Sequence, residues 1–181
     1  MLAGRDDHGG VPADLIIVLA TPAVPTGTAY TLLLLAHVAS AVVGFGAVVV
    51  TAVAAAAAAR GPAGARAQGV RRYFRPGTNW AARTLYGVPL FGFALIGVSH
   101  GAFSSGDTFV VAGLGLWVVS VGVAEAVVWP AERRLQQMVT RDWERAASAG
   151  ALGRDCRAIV AGSTVLVVAF VVATVLMVGK P

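Results

Sequence analysis

Four long apolar runs restrict this chain to a fold that lies within a lipid bilayer. They cover about residues 30–58, 84–103, 108–129 and 158–178. A helix that rises about 1.5 Å per residue needs about 20 such residues to cross ~30 Å of hydrocarbon, so each run is long enough to span. The chain is 57% hydrophobic and only 13% charged, which leaves too little charge to cover a soluble globule of this size. We therefore predict an all-α integral membrane protein.

Short connections between the runs predict an up-down, antiparallel four-helix transmembrane bundle formed by residues 28–181. Ser104-Ser105-Gly106, for example, is a turn signal between the second and third runs. The third run continues in a helical pattern beyond Pro130, which predicts a cytoplasmic helical extension bent at that proline. Residues 1–27 contain only a six-residue apolar stretch and are predicted to be a poorly ordered or interfacial lead.

The arginines indicate the orientation of the helices. Twelve of the 14 basic residues lie in or beside two connections, the first between runs one and two and the second between runs three and four. Only Arg5 and Lys180 remain for the other side. Because cytoplasmic loops retain Lys and Arg, we predict that both basic connections are cytoplasmic and that both termini face outward. The net charge of +5 is then a mark of topology and does not indicate a nucleic-acid partner.

The first basic connection combines arginines with aromatic residues in the segment Arg71-Arg72-Tyr73-Phe74-Arg75. Such a pattern also occurs where proteins bind single-stranded nucleic acid. Beside a membrane span, however, anionic headgroups and the interfacial aromatic belt favour the same residue types. We therefore predict that Arg71, Arg72 and Arg75 contact the anionic headgroups of the bilayer.

Two charged residues lie in or directly beside the apolar runs at similar depth. Arg83 is at the start of the second run, and Glu125 is about one turn before the end of the third. An ionisable side chain in hydrocarbon costs about 2.5–3.5 kcal/mol on insertion scales, so each of these residues needs a partner. Adjacent antiparallel helices would bring the two together, and we predict a structural intramembrane ion pair. The alternative is that Glu125 is a proton-relay carboxylate, although no second acidic residue within the runs extends a relay.

The first two runs each contain one histidine, and both histidines are predicted to lie in the outer half of the membrane. His37 adjoins the small-residue track Ala36-x-x-x-Ser40-x-x-x-Gly44, and His100 lies within Gly97-Val98-Ser99-His100-Gly101. Small residues let helices approach closely, so His37 is predicted to face a helix contact and to bond a hydroxyl or carbonyl across it. No cofactor is predicted. The alternative is a haem or a transition metal held by His37 and His100, since imidazole ligates both.

Four ordered segments resemble a known family. They are Leu34–Ala39, Arg83–Gly87, Trp129–Arg134 and Val175–Pro181. Over about residues 30–181, the chain is similar to the bacterial integral membrane proteins of the domain-of-unknown-function 2269 family. The resemblance implies a four-helix protein of the bacterial inner (plasma) membrane with no established activity.

The sequence contains no motif that carries enzymatic chemistry, and we predict no catalytic residue. The expected role is non-enzymatic, namely helix packing or association in a homo-oligomer or a larger membrane complex. The alternative is a haem- or metal-binding membrane protein that uses His37 and His100. A transporter is less favoured because four short spans show no inverted repeat.

Overall fold

The structure is a computed structural model that describes residues 27–60, 63–141 and 150–179. Within these ranges every regular element is helical, so the all-α prediction is confirmed there. The prediction for residues 1–27 lies, apart from residue 27, outside the described residues. The helices are α1 (Thr28–Arg60), α2 (Ala63–Tyr73), α3 (Trp80–Arg83), α4 (Gly87–Gly97), α5 (Thr108–Val123), α6 (Trp129–Arg141) and α7 (Ala151–Gly179). A 3-10 turn, Thr84–Tyr86, joins α3 to α4, and a π-helical segment, Ala124–Val128, joins α5 to α6.

Three helices are long and apolar enough to cross a membrane. They are α1, the continuous helix Thr108–Thr140 and α7. Each of the three is longer than the apolar run that predicted it. The helix Thr108–Thr140 extends beyond the C-terminal end of its run, and α7 begins seven residues before its run. The helix continues beyond Pro130, as the sequence predicts, to Arg141.

The second predicted span, residues 84–103, has different bounds in the structure. The helical stretch begins at Trp80, passes through the 3-10 turn and ends at Gly97. Its end has a local cause, because His100 and Gly101 have positive φ angles of 51° and 86°, which no α-helix tolerates. The Ser99 hydroxyl also donates to the Ile96 carbonyl at 2.8 Å and stabilises the turn. The predicted end of this helix at Phe103 was therefore wrong, because the helix ends six residues earlier.

The helices pack around α1 and α7. These two contact each other, α4 packs on α1, and α5 packs on α7. An ion pair between Arg134 Nε and Asp155 Oδ1, at 2.9 Å, also joins α6 to the start of α7. The buried core lies where α1 ends and α7 begins, around the π-helical segment; it includes Val48, Ala55, Val70, Phe74, Leu85, Val128, Trp129, Leu135, Ile159 and Leu166. Elsewhere the helices present exposed Leu and Val side chains, as a lipid environment favours.

Glycines allow two of these contacts to be close. A Cβ atom at Gly44 of α1 would lie 2.8 Å from Leu85 Cγ and 2.9 Å from the Leu85 backbone nitrogen. A Cβ atom at Gly162 of α7 would lie 2.7 Å from Val128 Cγ2. Both distances are shorter than carbon atoms accept, so these positions require glycine in this packing.

A hydrogen bond from α5 to the 3-10 turn occurs at a carbonyl that a proline leaves without its helical donor. Pro89 has no backbone N–H, so the Leu85 carbonyl, four residues earlier, loses its usual helical donor. The indole Nε1 of Trp117, on α5, donates to this carbonyl at 2.8 Å. The indole thus adds a donor to a carbonyl that otherwise has only the Gly87 N–H, and it connects the 3-10 turn to α5.

Candidate functional site

The candidate site is built around the carboxylate of Glu125 in the π-helical segment. Arg83 Nη1 lies 3.4 Å from Glu125 Oε1, and the Tyr86 hydroxyl donates to the same oxygen. The Arg83 side chain is 22% exposed and that of Glu125 is 46% exposed. The structure therefore brings together the two residues of the expected ion pair and adds Tyr86 to them. The contacts join the α3–α4 connection to the helix that contains Glu125.

The Trp129 ring packs against Arg83 and Tyr86 of this cluster. The guanidinium carbon of Arg83 is 3.4 Å from the centre of the Trp129 ring, a cation–π contact. The ring centres of Tyr86 and Trp129 are 5.9 Å apart. Trp129 itself is only 2% exposed, and its Nε1 is buried without a hydrogen-bond partner among the described residues. The indole thus orients Arg83 toward Glu125 and retains one unused donor.

The π-helical segment has an identifiable cause in the sequence. Pro130 lacks an N–H and cannot continue the helical hydrogen bonds to the preceding turn. The Trp129 N–H instead donates to the Ala124 carbonyl, five residues back. A wider turn of this kind changes the direction of the side chains before the proline relative to those after it, and such turns are frequent at functional sites. Pro130 predicted a bend, but the π geometry was missed.

A second polar network adjoins the first. The Asn79 side chain caps α3, where its Oδ1 accepts from the Ala82 N–H at 3.2 Å. Its Nδ2 donates to Thr51 Oγ1 at 3.4 Å and to Glu132 Oε1 at 3.5 Å. The Thr51 hydroxyl is in turn 3.0 Å from the Tyr73 hydroxyl. This network connects α1, α2, α3 and α6.

Sequence reasoning missed Glu132 as a site residue. Its carboxyl group lies seven residues after Glu125, and this spacing places two residues on the same side of a helix. That spacing was the available signal. The side chain is 7% exposed even though it belongs to the polar continuation of the helix.

A cleft of about 220 Å³ opens between the two networks. Its walls combine two arginines, one carboxylate, two amides and an indole; the lining residues are Gly77, Thr78, Asn79, Arg83, Trp129, Glu132, Arg133 and Gln136. One wall is fixed by Gln136, whose Nε2 donates to the Gly77 carbonyl at 3.0 Å. The cleft is thus polar, mixed in charge and located at the end of the apolar part of the helix that begins at Thr108.

The two histidines have different surroundings. His37 is half-buried between α1 and α4, and its Nδ1 is 2.8 Å from the Val88 carbonyl. Gly92 makes room for the ring, because a Cβ atom there would lie 3.3 Å from His37 Cε1. His100 is exposed in the turn after α4, eight residues beyond Gly92. The His37 ring thus bonds a carbonyl across a helix contact, while His100 belongs to a turn.

The small-residue track beside His37 lies in the same contact. A Cβ atom at Gly87 would be 2.7 Å from Ser40 Oγ, and the Thr84 hydroxyl donates to the Ser40 carbonyl at 3.1 Å. In the described part of the chain, no three His, Cys, Asp or Glu residues are grouped so that they could hold a metal ion. The arginines of the first basic connection, Arg71, Arg72 and Arg75, are all exposed at or just after the end of α2.

Comparison with known protein families identifies the family of this chain. A family model described as a predicted integral membrane protein, DUF2269, matches residues 31–181. The resemblance found in the sequence is thereby confirmed over nearly the same residues. No curated protein and no solved structure matches the chain.

Proposed function

Because the chain belongs to the DUF2269 family of predicted integral membrane proteins, we propose that it is a non-enzymatic, four-span membrane protein that associates with a second copy of itself or with another membrane protein. The role assigned to it is that of a packed helical component of a membrane assembly. The support comes from how the polar residues of the apolar helices are used and from one helix face that is left open.

Besides the three long helices, the proposal needs one more span, which is the second in chain order: the helical stretch from Trp80 to Gly97. It contains 18 residues, which corresponds to about 27 Å of helix and is close to the thickness of the hydrocarbon. With four spans in a bacterial plasma membrane, the basic connections face the cytoplasm, both termini face outward, and Arg71, Arg72 and Arg75 reach anionic headgroups. A reporter fused after Pro181 that is active only in the cytoplasm would contradict this topology.

Several polar side chains in the apolar helices already bond across helices. Arg83 and Tyr86 bond Glu125, His37 bonds the Val88 carbonyl, and Trp117 bonds the Leu85 carbonyl. Groups used in this way stabilise the packing and leave little for catalysis. The mutual bonding favours a structural role for Glu125 over a proton relay, because both Arg83 and Tyr86 bond one of its oxygens.

The observation that carries the proposal is the exposure of Glu125. Nearly half of its side chain is accessible, although it lies in a helix apolar enough to span a membrane. An ionisable group that faces hydrocarbon is costly, and polar groups in membrane helices commonly face another helix. One row of exposed residues runs along α5 to Glu125; it consists of Val111, Gly115, Val118 and Gly122. A Cβ atom at either glycine would meet nothing within 4 Å, so a second helix could approach closely along this face.

Photocross-linking in native membranes tests this association. A photoreactive benzoylphenylalanine in place of Val118, on the open face of α5, is expected to yield an adduct of twice the 18.4 kDa chain mass. In place of Val168, which is exposed on α7, the same group is expected to label lipid only. Adding Gly122→Leu should reduce the adduct from position 118 several-fold, because leucine would hold the two helices apart.

The mass of the adduct identifies the partner. An adduct of another mass that is also lost with Gly122→Leu would support a larger membrane complex in place of a homo-oligomer. Equal labelling of lipid alone from positions 118 and 168 would contradict association through this face.

A further inference from the structure

The cleft beside Asn79 and Trp129 contains polar groups that the protein itself leaves incompletely bonded. The buried carboxylate of Glu132 receives one long hydrogen bond, from Asn79 at 3.5 Å, and no described guanidinium or ammonium nitrogen lies within 4.0 Å of it. A buried carboxylate accepts several hydrogen bonds and is costly when they are missing. Glu132 can therefore accept a further, closer donor.

Two other residues that line the cleft have hydrogen-bond donors without a described acceptor or carboxylate partner. Trp129 Nε1 is a buried donor without a described acceptor. Arg133 is exposed, and no carboxylate of the described residues lies within 4.0 Å of its guanidinium group. Both groups would bond an anionic oxygen. Arg83, in contrast, is already paired with Glu125.

The charges of the cleft balance when these residues are considered together. Arg83 offsets Glu125, which leaves Arg133 and Glu132 as one positive and one negative charge in the cleft, near enough to attract each other but without a contact within 4.0 Å. A purely anionic ligand would satisfy Arg133 but would be repelled by Glu132, and a simple cation would have the reverse problem. The complementary ligand is a zwitterion that carries an acidic oxygen group and an N–H-bearing ammonium group.

The position of the cleft indicates the source of this ligand. It lies where the apolar helix gives way to the charged sequence of α6, and Trp80, which is 75% exposed, lies next to Asn79. Exposed tryptophan at such a boundary is typical of the headgroup layer. The cleft volume, about 220 Å³, is also smaller than the roughly 300–1,000 Å³ of pockets that enclose drug-sized ligands, as suits a headgroup.

We propose that this cleft binds the phosphoethanolamine headgroup of a membrane phospholipid. The ammonium group donates to the Glu132 carboxylate, and the phosphate accepts from Arg133 and from Trp129 Nε1. The acyl chains remain in the bilayer. Binding of this lipid does not require the association proposed for α5, because the cleft and the open α5 face use different residues.

Lipid competition measured by native mass spectrometry tests the proposal. The full chain in a nonionic detergent is offered equal amounts of phosphatidylethanolamine, phosphatidylcholine and phosphatidylglycerol with identical acyl chains. We expect retention of phosphatidylethanolamine over each of the other two by about tenfold, since one lacks ammonium N–H donors and the other lacks the ammonium group. Equal retention of the three lipids would overturn the proposal, and preference for phosphatidylglycerol would overturn the role of Glu132.

Matched variants locate the binding. Glu132→Gln is expected to remove the preference for phosphatidylethanolamine, and Arg133→Gln to lower its retention about tenfold. Arg154→Gln removes another exposed arginine outside the cleft and should leave retention unchanged. Because Arg133 is exposed, its substitution tests the cleft even if Glu132→Gln fails to fold. Soluble phosphoethanolamine that displaces the lipid at equal concentration would overturn the bilayer as the source, and equal losses in the Arg133 and Arg154 variants would overturn the site.

Discussion

Replacement of Trp129 by alanine is expected to lower the free energy of unfolding by about 3–5 kcal/mol, the usual cost of removing a large buried aromatic side chain. The indole is 2% exposed, so its removal leaves a cavity among the helices. The loss also frees Arg83, whose guanidinium group lies 3.4 Å from the ring centre. Without the ring beneath it, Arg83 is held less firmly against Glu125. Thermal unfolding of the purified protein in detergent, followed by circular dichroism, measures the effect.

Trp80→Ala is the matched control for this prediction. Trp80 is 75% exposed, and its substitution should change stability by much less than that of Trp129. If the two variants lost the same stability, Trp129 would not hold the cluster together.

Gly44→Ala is the second substitution expected to have a large effect. The added methyl group would lie 2.8 Å from Leu85 Cγ and 2.9 Å from the Leu85 backbone nitrogen. A side chain could rotate away, but the backbone cannot, so α1 must move away from the 3-10 turn. Overpacking of this kind costs about 1–3 kcal/mol. The same unfolding measurement in detergent gives the change.

Gly46→Ala controls for the change of residue type in the same helix. Two residues farther along α1, a Cβ atom would meet nothing within 4 Å. This variant should be neutral or slightly stabilising, because alanine favours helix over glycine. A Gly44 variant as stable as the Gly46 variant would show that α1 and the 3-10 turn are not closely packed.

The apolar runs predicted most of the helices because their signal depends only on length and hydropathy. The first, third and fourth runs each lie within a helix long enough to span, and the family was also recognised from ordered segments. The bounds of the second helix were harder to predict. Its hydropathy continues to Phe103, whereas the backbone leaves the helix at Gly97 because of the turn conformation at His100 and Gly101.

The polar contacts were predictable only in part. Charge and depth suggested Arg83 and Glu125 as partners, and the two lie 3.4 Å apart. The contacts of Tyr86 and Trp129 with this pair depend on the π-helical segment, which rotates side chains by an amount that spacing does not reveal. The sequence likewise shows that Pro89 lacks an N–H for the Leu85 carbonyl. It does not show that Trp117 is the side chain that donates to this carbonyl instead.

The use of polar residues to join the membrane helices is tested most directly by a double-mutant cycle on Arg83 and Glu125. Both groups are partly exposed, so their interaction is weaker than that of a fully buried pair. We expect Arg83→Gln and Glu125→Gln each to destabilise the protein in detergent, and the double variant to lose less than the sum by at least about 0.5 kcal/mol. A cycle of Glu125→Gln with Arg72→Gln should be additive. Additive losses for Arg83 and Glu125 themselves would contradict a structural ion pair between these helices.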